Sequence, residues 1–232
     1  MRRMSSDNHG PMSDGLAERL RHVRWIGGGS GGGKSTVTRL LAARYGVRVY
    51  DTDAMMAEHA RRTTVVESPF LAAFAAMSMD ERWVHRSPET MLETFHWFRG
   101  EGFGLIVADL LALPADVPVI AEGFRLLPEL VAPLLAVPAH AVWLLPTAEF
   151  RRLALESRGE TWKIAGRTGN PPVALRNLLE RDRMFTDRLH TEVGRLRLPA
   201  IRVDGGDDAD DLAGRIGRAF GLADSTEMVG TA

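Results

Sequence analysis

A glycine-rich run between residues 27 and 36 carries the clearest chemical signal in the sequence. Gly28, Gly33, Lys34 and Ser35 match the phosphate-loop spacing G-x-x-x-x-G-K-[ST]. Glycines let backbone N–H groups approach a phosphate chain, because a Cβ would obstruct that approach. The spacing predicts that the lysine ammonium reaches the β- and γ-phosphates of a nucleotide, and that the serine hydroxyl binds Mg²⁺. The other predicted loop contacts are Gly29, Ser30, Gly31, Gly32 and Thr36.

The context of the run favours this interpretation over the alternative, a flexible glycine linker. The run follows the short apolar segment 23–26 and precedes residues 35–45, whose apolar positions recur with helical spacing. A phosphate-binding loop requires this order of strand, glycine loop and helix. The helix would add its N-terminal dipole and its free N–H groups to the anion site.

Three acidic residues follow other apolar segments and are candidates for metal and proton chemistry. Asp51 and Asp53 follow the strand candidate 47–50, and Glu122 follows the strand candidate 117–121. A carboxylate can hold Mg²⁺ through bound water, and a carboxylate beside a hydroxyl can accept its proton. The alternatives are a strand-end turn for the two aspartates and a strand-end cap for the glutamate.

The order of the segments predicts which elements position these residues. Short apolar runs alternate with longer helical segments along the chain, and further runs cover 140–145 and 200–203. This alternation predicts an α/β fold with a parallel sheet that helices cover on both faces. The ligand site of such a sheet lies at the carboxyl ends of its strands. The glycine run and the carboxylates should therefore meet there.

The length of the chain fits one domain, which we place at residues 16–223. Residues 1–15 are predicted to form a disordered tail, and residues 224–232 a flexible one. Two long segments, 54–113 and 151–190, depart from the strand–helix alternation. The first is mostly helical and aromatic, and the second is rich in arginine, with candidate hinges at Gly159, Gly166 and Gly169.

Residues 25–62 and 119–123 resemble the P-loop kinases of small molecules. The resemblance is to the nucleoside-monophosphate-kinase-like group, which includes dephospho-coenzyme A kinase, shikimate kinase and cytidylate kinase. It implies a three-layer P-loop NTPase fold, with a five-stranded parallel sheet in the order 2-3-1-4-5. It also implies ATP and Mg²⁺ as cofactors, residues 54–113 as a helical acceptor-binding insertion, and residues 151–190 as a lid. Glu122 to Arg125 stand where shikimate kinases carry a glycine triplet, which puts shikimate in doubt as the acceptor.

The resemblance also implies roles for individual residues. Asp53 becomes the base that faces the acceptor hydroxyl, and Asp51 joins Ser35 and Glu122 near the metal, although which aspartate is the base stays open. Glu122 and Arg125 are candidate acceptor contacts, and the alternative for Arg125 is a surface arginine. Residues for charge neutralisation and nucleotide binding are Lys34, the lid arginines Arg158, Arg167, Arg181 and Arg183, and Gly205 after the last strand.

The helical segment 54–113 supplies further candidate acceptor contacts. Arginines at positions 61, 62, 86 and 99 would hold an anionic group, with Arg86 and Arg99 the chosen substrate contacts. Trp83 and Trp97 would stack on a ring. The alternatives are a helical subcore for the aromatic residues and, for the lid arginines, a solvated helix face.

Composition excludes several function classes. The chain has 232 residues, a net charge of −1 and no cysteine. The absence of cysteine rules out a disulfide scaffold and a cysteine-ligated metal site, and it fits the reducing cytoplasm, which is the expected location. The near-neutral charge argues against a nucleic-acid partner. No apolar run reaches the roughly 18 residues of a membrane helix, so no membrane partner is expected.

These observations predict an ATP–Mg²⁺-dependent phosphotransferase that moves the γ-phosphoryl group to a hydroxyl or phosphate of a small molecule. The acceptor stays open among a nucleotide, a coenzyme precursor, a sugar acid and an antibiotic-like compound. The alternative is a nucleotide-binding ATPase or regulator without an acceptor. A guanine-nucleotide switch is disfavoured, because it needs an Asn/Thr-Lys-x-Asp motif and the second lysine of the chain, Lys163, is followed by Ile-Ala.

Overall fold

The computed structural model describes residues 11–158 and 160–222. Each predicted apolar run forms a strand in it. The strands are β1 (Val23–Gly28), β2 (Arg48–Asp51), β3 (Val119–Glu122), β4 (Ala141–Pro146) and β5 (Ala200–Val203). The helices are α1 (Pro11–Arg19), α2 (Lys34–Tyr45), α3 (Met56–Arg62), α4 (Pro69–Ala76), α5 (Met79–Trp83), α6 (Pro88–Thr94), α7 (Phe103–Ala112), α8 (Pro128–Val131), α9 (Ala148–Arg158), α10 (Glu160–Ala165), α11 (Pro171–Leu196) and α12 (Ala209–Ala219). Short 3-10 turns cover His96–Arg99, Ala132–Leu134 and Pro138–His140.

The five strands form one parallel sheet in the order β2-β3-β1-β4-β5. This order confirms the predicted fold class, a five-stranded parallel sheet in the order 2-3-1-4-5. The register pairs Asp51 with Glu122, and Glu122 with Ile26. Because the strands are parallel, their carboxyl ends bring the glycine loop and the predicted carboxylates to one edge of the sheet.

Neighbouring residues of a strand point to opposite sides of the sheet. Both sides are apolar here, and helices cover both. Trp25 and Trp143 pack in a core with residues of α7, α8 and α11, including Ile106, Val131 and Phe185. The next residues along the strands, Ile26 and Leu144 among them, pack against α2 and α12 in a second core. The sheet is therefore the middle of three layers, and its apolar strands are buried on both sides.

A third, smaller core lies in the helical segment between β2 and β3. Trp83 and Met91 pack there with Ala165, Ala174 and Leu178 from α10 and α11. The helical subcore considered from the sequence is thus present, and it joins the helical insertion to the arginine-rich segment. Gly169 N–H adds a hydrogen bond across this junction, to Asp80 Oδ1 at 2.7 Å.

The ends of the chain are only partly described. Of the predicted tails, residues 1–10 and 224–232 lie outside the described residues, whereas α1 begins at Pro11, inside the segment predicted as a tail. Across 11–158 and 160–222, no helix is both long and apolar enough to cross a bilayer.

Close contact between the phosphate loop and β4 makes Gly28 critical for folding. Its φ of 128° lies in the region that glycine favours, and a Cβ there would be 2.1 Å from the Leu144 carbonyl oxygen. We expect Gly28→Ala to lower the free energy of unfolding by about 3 kcal/mol or more. Gly104→Ala is the matched control, because Gly104 lies in α7 with open space around it. It should change stability by less than about 1 kcal/mol. Urea denaturation measures both variants, and equal effects would contradict the assignment.

Candidate functional site

The glycine loop lies directly between β1 and the first turn of α2. Gly33, in the left-handed conformation, immediately precedes the first helical residue, Lys34. The Gly29 N–H donates to the Leu144 carbonyl at 3.2 Å, and the Gly32 N–H donates to the Gly29 carbonyl at 3.3 Å. The buried Lys34 Nζ donates to the Gly29 carbonyl at 3.0 Å. The ammonium group therefore lies against the loop that would wrap a phosphate chain.

Two residues that the sequence analysis did not single out, Arg151 and Thr186, pack against this loop. Arg151 on α9 is buried, and its Nη1 donates to the Asp182 carbonyl at 2.6 Å and to Thr186 Oγ1 at 2.9 Å. A Cβ on Gly29 would lie 2.5 Å from Thr186 Oγ1, and a Cβ on Gly31 would lie 3.2 Å from Arg151 Cγ. The loop glycines therefore allow α9 and α11 to pack closely. The sequence shows an arginine-rich segment here, but not which arginine is buried.

Asp51 forms the strand-end turn that was the alternative to a role in metal or proton chemistry. Its Oδ1 accepts hydrogen bonds from the backbone N–H groups of Asp53 at 2.8 Å and Ala54 at 3.0 Å. This Asx turn uses one carboxylate oxygen and redirects the chain after β2. The turn fixes Asp51 at the sheet edge beside Glu122, and it also places Asp53 in the cavity described below.

Asp53 is positioned beside the loop lysine by the glycine that follows β3. Gly123 has a φ of 146°, and a Cβ there would be 1.8 Å from Thr52 Oγ1 and 2.8 Å from Asp53 Oδ1. Glycine therefore leaves room for the carboxylate. Burial raises the pKa of Asp53 above its ordinary value, and the nearby Lys34 charge lowers it to a smaller extent. A raised pKa makes the carboxylate a better proton acceptor once it is ionised.

Glu122 lies at the end of β3 and is almost fully buried. Burial raises the pKa of Glu122, whereas a hydrogen bond from the Ser35 hydroxyl and the Lys34 charge lower it to a smaller extent. Its Oε2 is buried without a hydrogen-bond partner among the described residues. An unpartnered buried carboxylate oxygen costs free energy unless a ligand completes it.

These features fit the predicted Mg²⁺ site of Ser35, Asp51 and Glu122, since all three lie at the same sheet edge as hard oxygen donors. Over 11–158 and 160–222, no group of three or more histidine, aspartate or glutamate side chains is arranged to hold a metal alone. Bound Mg²⁺ commonly keeps several waters and uses substrate phosphates as ligands. The protein would therefore supply part of the coordination shell and the nucleotide the remainder.

A single cavity of about 840 Å³ connects the glycine loop to the helical insertion. Its polar end is lined by loop residues 30–36 together with Asp51 and Asp53. Its other end is lined mainly by rings, and we call this part the aromatic chamber. The chamber residues are Phe74, Trp83, Phe95, His96, Trp97, Phe98 and Phe124. The stacking role predicted for Trp83 and Trp97 is thus compatible with their places in the chamber.

Arg181 on α11 lines the cavity, and its guanidinium lies against the rings of the chamber. Its guanidinium carbon is 4.9 Å from the Phe95 ring centroid and 5.2 Å from that of Trp83. Its Nε and Nη2 donate to Asp182 Oδ1 at 2.9 and 2.6 Å. Nη1 is buried without a hydrogen-bond partner among the described residues. Both N–H groups of Nη1 therefore have no hydrogen-bond partner among the described residues, and the charge is balanced by the adjacent aspartate.

Arg125, a predicted acceptor contact, is buried behind Asp53. Its Nη1 donates to the Thr52 carbonyl at 3.0 Å and contacts His59 Nδ1 at 3.0 Å, and its guanidinium stacks 4.1 Å from the Trp97 ring centroid. Burial lowers the pKa of Arg125 to about 10, so the group keeps its charge at neutral pH. Arg125 therefore connects the turn after β2 to the Trp97 ring of the chamber, and its contact with an acceptor stays a prediction.

His59 connects Arg125 to an aspartate that the sequence analysis did not single out. Arg125 can only donate, so His59 Nδ1 must accept, and its Nε2–H then donates to Asp109 Oδ2 at 2.8 Å. The Tyr50 hydroxyl donates to the same oxygen at 2.7 Å, and Arg62 donates to Asp109 Oδ1 at 2.8 Å. The network therefore ties α3 and α7 to the site. These residues are separated by about fifty positions, and no local pattern reveals them.

Asp109 should make stability depend on pH. Burial raises the pKa of Asp109, but hydrogen bonds from His59, Tyr50 and Arg62 outweigh this and lower it to about 2. Its stabilising effect is therefore present above the ordinary aspartate pKa and is lost as the pH falls toward 2. We expect Asp109→Asn to lower the free energy of unfolding by about 2 kcal/mol at neutral pH, and by much less near pH 2. Urea denaturation across pH tests this, with the exposed Asp116→Asn as control. A pH-independent difference would contradict it.

Other predicted site residues lie outside the set that lines the cavity, and their roles stay predictions. Arg86 contacts Thr94 Oγ1 and the Thr90 carbonyl, and Arg99 Nη1 donates to the Glu93 carbonyl while stacking on Phe70. Arg183 pairs with Glu180 and Asp187 on the exposed face of α11. Three further residues from the sequence analysis lie at exposed positions, namely Arg61, Arg167 and Gly205. The side chain of Arg158, and Gly159, lie outside the described part.

Comparisons with known proteins give limited similarity. No protein-family model matches the chain, and no curated protein matches it. Among solved structures, the chain is similar to a shikimate kinase from Acinetobacter baumannii in complex with shikimate, at 18% sequence identity and a TM-score of 0.41. The match covers 86% of this chain and 94% of that one. Function is therefore inferred from the geometry of the site itself.

Proposed function

We propose that this protein is an ATP–Mg²⁺-dependent small-molecule kinase that phosphorylates a hydroxyl group. The observation that carries the proposal is the shared cavity. Loop residues 30–36, with the sequence of a phosphate-binding loop, line this cavity together with Asp53 and the rings of the aromatic chamber. A phosphate cradle, a carboxylate and room for a second molecule in the same cavity are what phosphoryl transfer to a small acceptor requires.

The loop and its neighbours would bind the nucleotide phosphates. Backbone N–H groups of the loop and the N-terminus of α2 point at the anion, and Lys34 neutralises charge on the transferring group. Ser35, Asp51 and Glu122 would hold Mg²⁺, which supplies further neutralisation of the β- and γ-phosphates when it is bound. Glu122 Oε2, buried and unpartnered, gives this assignment its direct structural support.

Asp53 would accept the proton of the acceptor hydroxyl. The acceptor oxygen forms a new bond to the γ-phosphorus, and the bond between that phosphorus and the β,γ-bridging oxygen breaks. The products are the phosphorylated acceptor, ADP and a proton on the Asp53 carboxylate, which is later released to water. Arg125, charged and buried behind Asp53, favours the ionised form of this carboxylate before transfer.

The competing function is a nucleotide-binding ATPase or regulator without an acceptor. Calorimetry with a nonhydrolysable ATP analogue and Mg²⁺ first tests nucleotide binding, with GTP and inorganic phosphate for comparison. ADP release is then followed with and without a panel of hydroxyl compounds. A kinase shows ADP release that depends on one class of acceptor. ATP hydrolysis at a rate that no compound on the panel changes favours the competing function.

A further inference from the structure

We infer that the acceptor is a hydroxyl compound with an apolar ring body and at most one charged group, which binds with its ring in the aromatic chamber and its hydroxyl toward Asp53. This inference rests on the proposed kinase function and specifies the class of its substrate. It selects among the acceptors that the sequence left open, and it disfavours nucleoside monophosphates and polyhydroxylated acids.

Exposed aromatic faces are the first support for this inference. Phe74, Phe95 and Phe124 line the chamber and are each only partly buried, although rings surround them. Phe74 and Phe95 meet edge to face, with their centroids 5.4 Å apart, and Phe95 and Phe124 stack at 6.5 Å. Apolar ring surface left in contact with water gains free energy when a ligand covers it. A ring fits this surface better than a chain of hydroxyl groups would.

The charge balance of the chamber is the second support. Among the charged residues that line the cavity at the chamber, Arg181 is paired with Asp182 through Nε and Nη2. The guanidinium groups of Arg82 and Arg125 lie over the Phe74 and Trp97 rings and do not belong to the cavity lining. A phosphate dianion placed there would meet the Asp182 carboxylate as well as the guanidinium. The unpartnered Arg181 Nη1 can donate to one carboxylate or carbonyl oxygen. This arrangement suits a single polar group on an otherwise apolar ligand.

His96 adds a neutral polar atom to the same wall. Its ring packs between Phe74, Phe95 and Trp97, with centroid distances of 4.4 to 4.9 Å. Its Nδ1 is buried without a hydrogen-bond partner among the described residues, and burial lowers the pKa of His96 to about 3. The imidazole therefore stays uncharged at neutral pH. It therefore adds no positive charge to this wall of the chamber.

The ring-bearing acid phenyllactate and its matched control lactate test the inference, because lactate replaces the benzyl group by a methyl. Calorimetric titrations are made with and without a saturating nonhydrolysable ATP analogue and Mg²⁺. We expect phenyllactate to bind about tenfold or more tightly than lactate, since the ring buries apolar surface. CMP, a nucleoside monophosphate, should bind more weakly than phenyllactate. Equal affinities for phenyllactate and lactate, tighter binding of CMP, or no binding of phenyllactate at millimolar concentration would overturn the inference.

Two chamber variants and one control locate the binding site. Phe95→Leu and Phe124→Leu keep an apolar side chain but remove a ring from the chamber, and each should reduce the preference for phenyllactate about threefold or more. Phe70→Leu is the control, because Phe70 stacks under Arg99 on α4 outside the cavity lining. A preference unchanged in both chamber variants overturns the inference, and if one variant does not fold the other decides.

The nucleotide titration distinguishes failure of this inference from failure of the proposed function. The ATP analogue should bind the wild type and the three phenylalanine variants equally, because none of these rings belongs to the glycine loop. Analogue binding without a preference for the ring compound refutes the acceptor class and leaves the kinase intact. A ring preference without analogue binding refutes the kinase.

Discussion

Replacing Lys34 by alanine is expected to reduce ATP-dependent phosphorylation by a factor of about 10² to 10³ or more. The ammonium lies against the glycine loop, 3.0 Å from the Gly29 carbonyl, at the polar end of the cavity. Removing it leaves the transferring phosphoryl group without the positive charge that the loop supplies. The rate of product formation under single-turnover conditions measures this effect directly, separately from product release.

The second lysine of the chain provides a matched control for this variant. Lys163→Ala removes the same charge from an exposed position on α10 and should leave the rate unchanged. The loss of the hydrogen bond from Lys34 Nζ to the Gly29 carbonyl should cost about 1 kcal/mol in Lys34→Ala, and urea denaturation checks that the variant stays folded. Phosphorylation at the wild-type rate by folded Lys34→Ala would remove the loop from the mechanism.

Replacing Asp53 by asparagine is expected to reduce turnover by a factor of about 10² to 10⁴, the usual contribution of a general base. Asparagine preserves the size of the side chain but cannot accept the proton. The pKa of Asp53 is raised by burial, so the wild-type rate should fall as the pH drops through this raised value and the carboxylate becomes protonated. The variant should lack this dependence. A wild-type rate in Asp53→Asn, or the same acid limb in its pH profile, would show that the base is elsewhere.

Asp51→Asn distinguishes the two neighbouring aspartates. An asparagine oxygen can still accept the hydrogen bonds from the Asp53 and Ala54 N–H groups, so the turn is retained while the charge is lost. We expect this variant to need a higher Mg²⁺ concentration and to recover most of its rate when Mg²⁺ is raised. Asp53→Asn should not recover. The opposite pattern would exchange the roles of the two aspartates.

Local sequence patterns were sufficient to predict the sheet and the edge at which the glycine loop and the carboxylates meet. The glycine loop, the Asp51–Asp53 pair and Glu122 all follow apolar strands directly, and a parallel sheet places all strand ends at one edge. The register that pairs Asp51 with Glu122 is a consequence of that topology. The placement could be predicted because each of these residues lies within a few positions of a strand end.

The acceptor end depends on contacts between distant segments and was predicted less completely. Arg125 was recognised as a candidate, but its partners His59 and Asp109 lie far away in the chain, so its burial could not be anticipated. Arg181 was expected in a lid over the phosphates, and its role toward them stays a prediction. Its contact with the chamber rings was not anticipated, because it arises from the packing of α11 against the helical insertion. The aromatic content of the insertion was evident, whereas the particular rings that face the cavity follow only from the tertiary packing.

The fate of a labelled γ-phosphate tests the kinase assignment most directly. The protein is incubated with Mg²⁺ and ATP that carries radiolabel in the γ-phosphate, together with a panel of hydroxyl compounds with and without rings, and the products are separated from inorganic phosphate. The proposed function predicts label in an organic phosphate ester, formed in equal amount to ADP, and about a hundredfold less of this product or lower with Lys34→Ala. Label that appears only in inorganic phosphate, at a rate independent of every added alcohol, would contradict the kinase assignment.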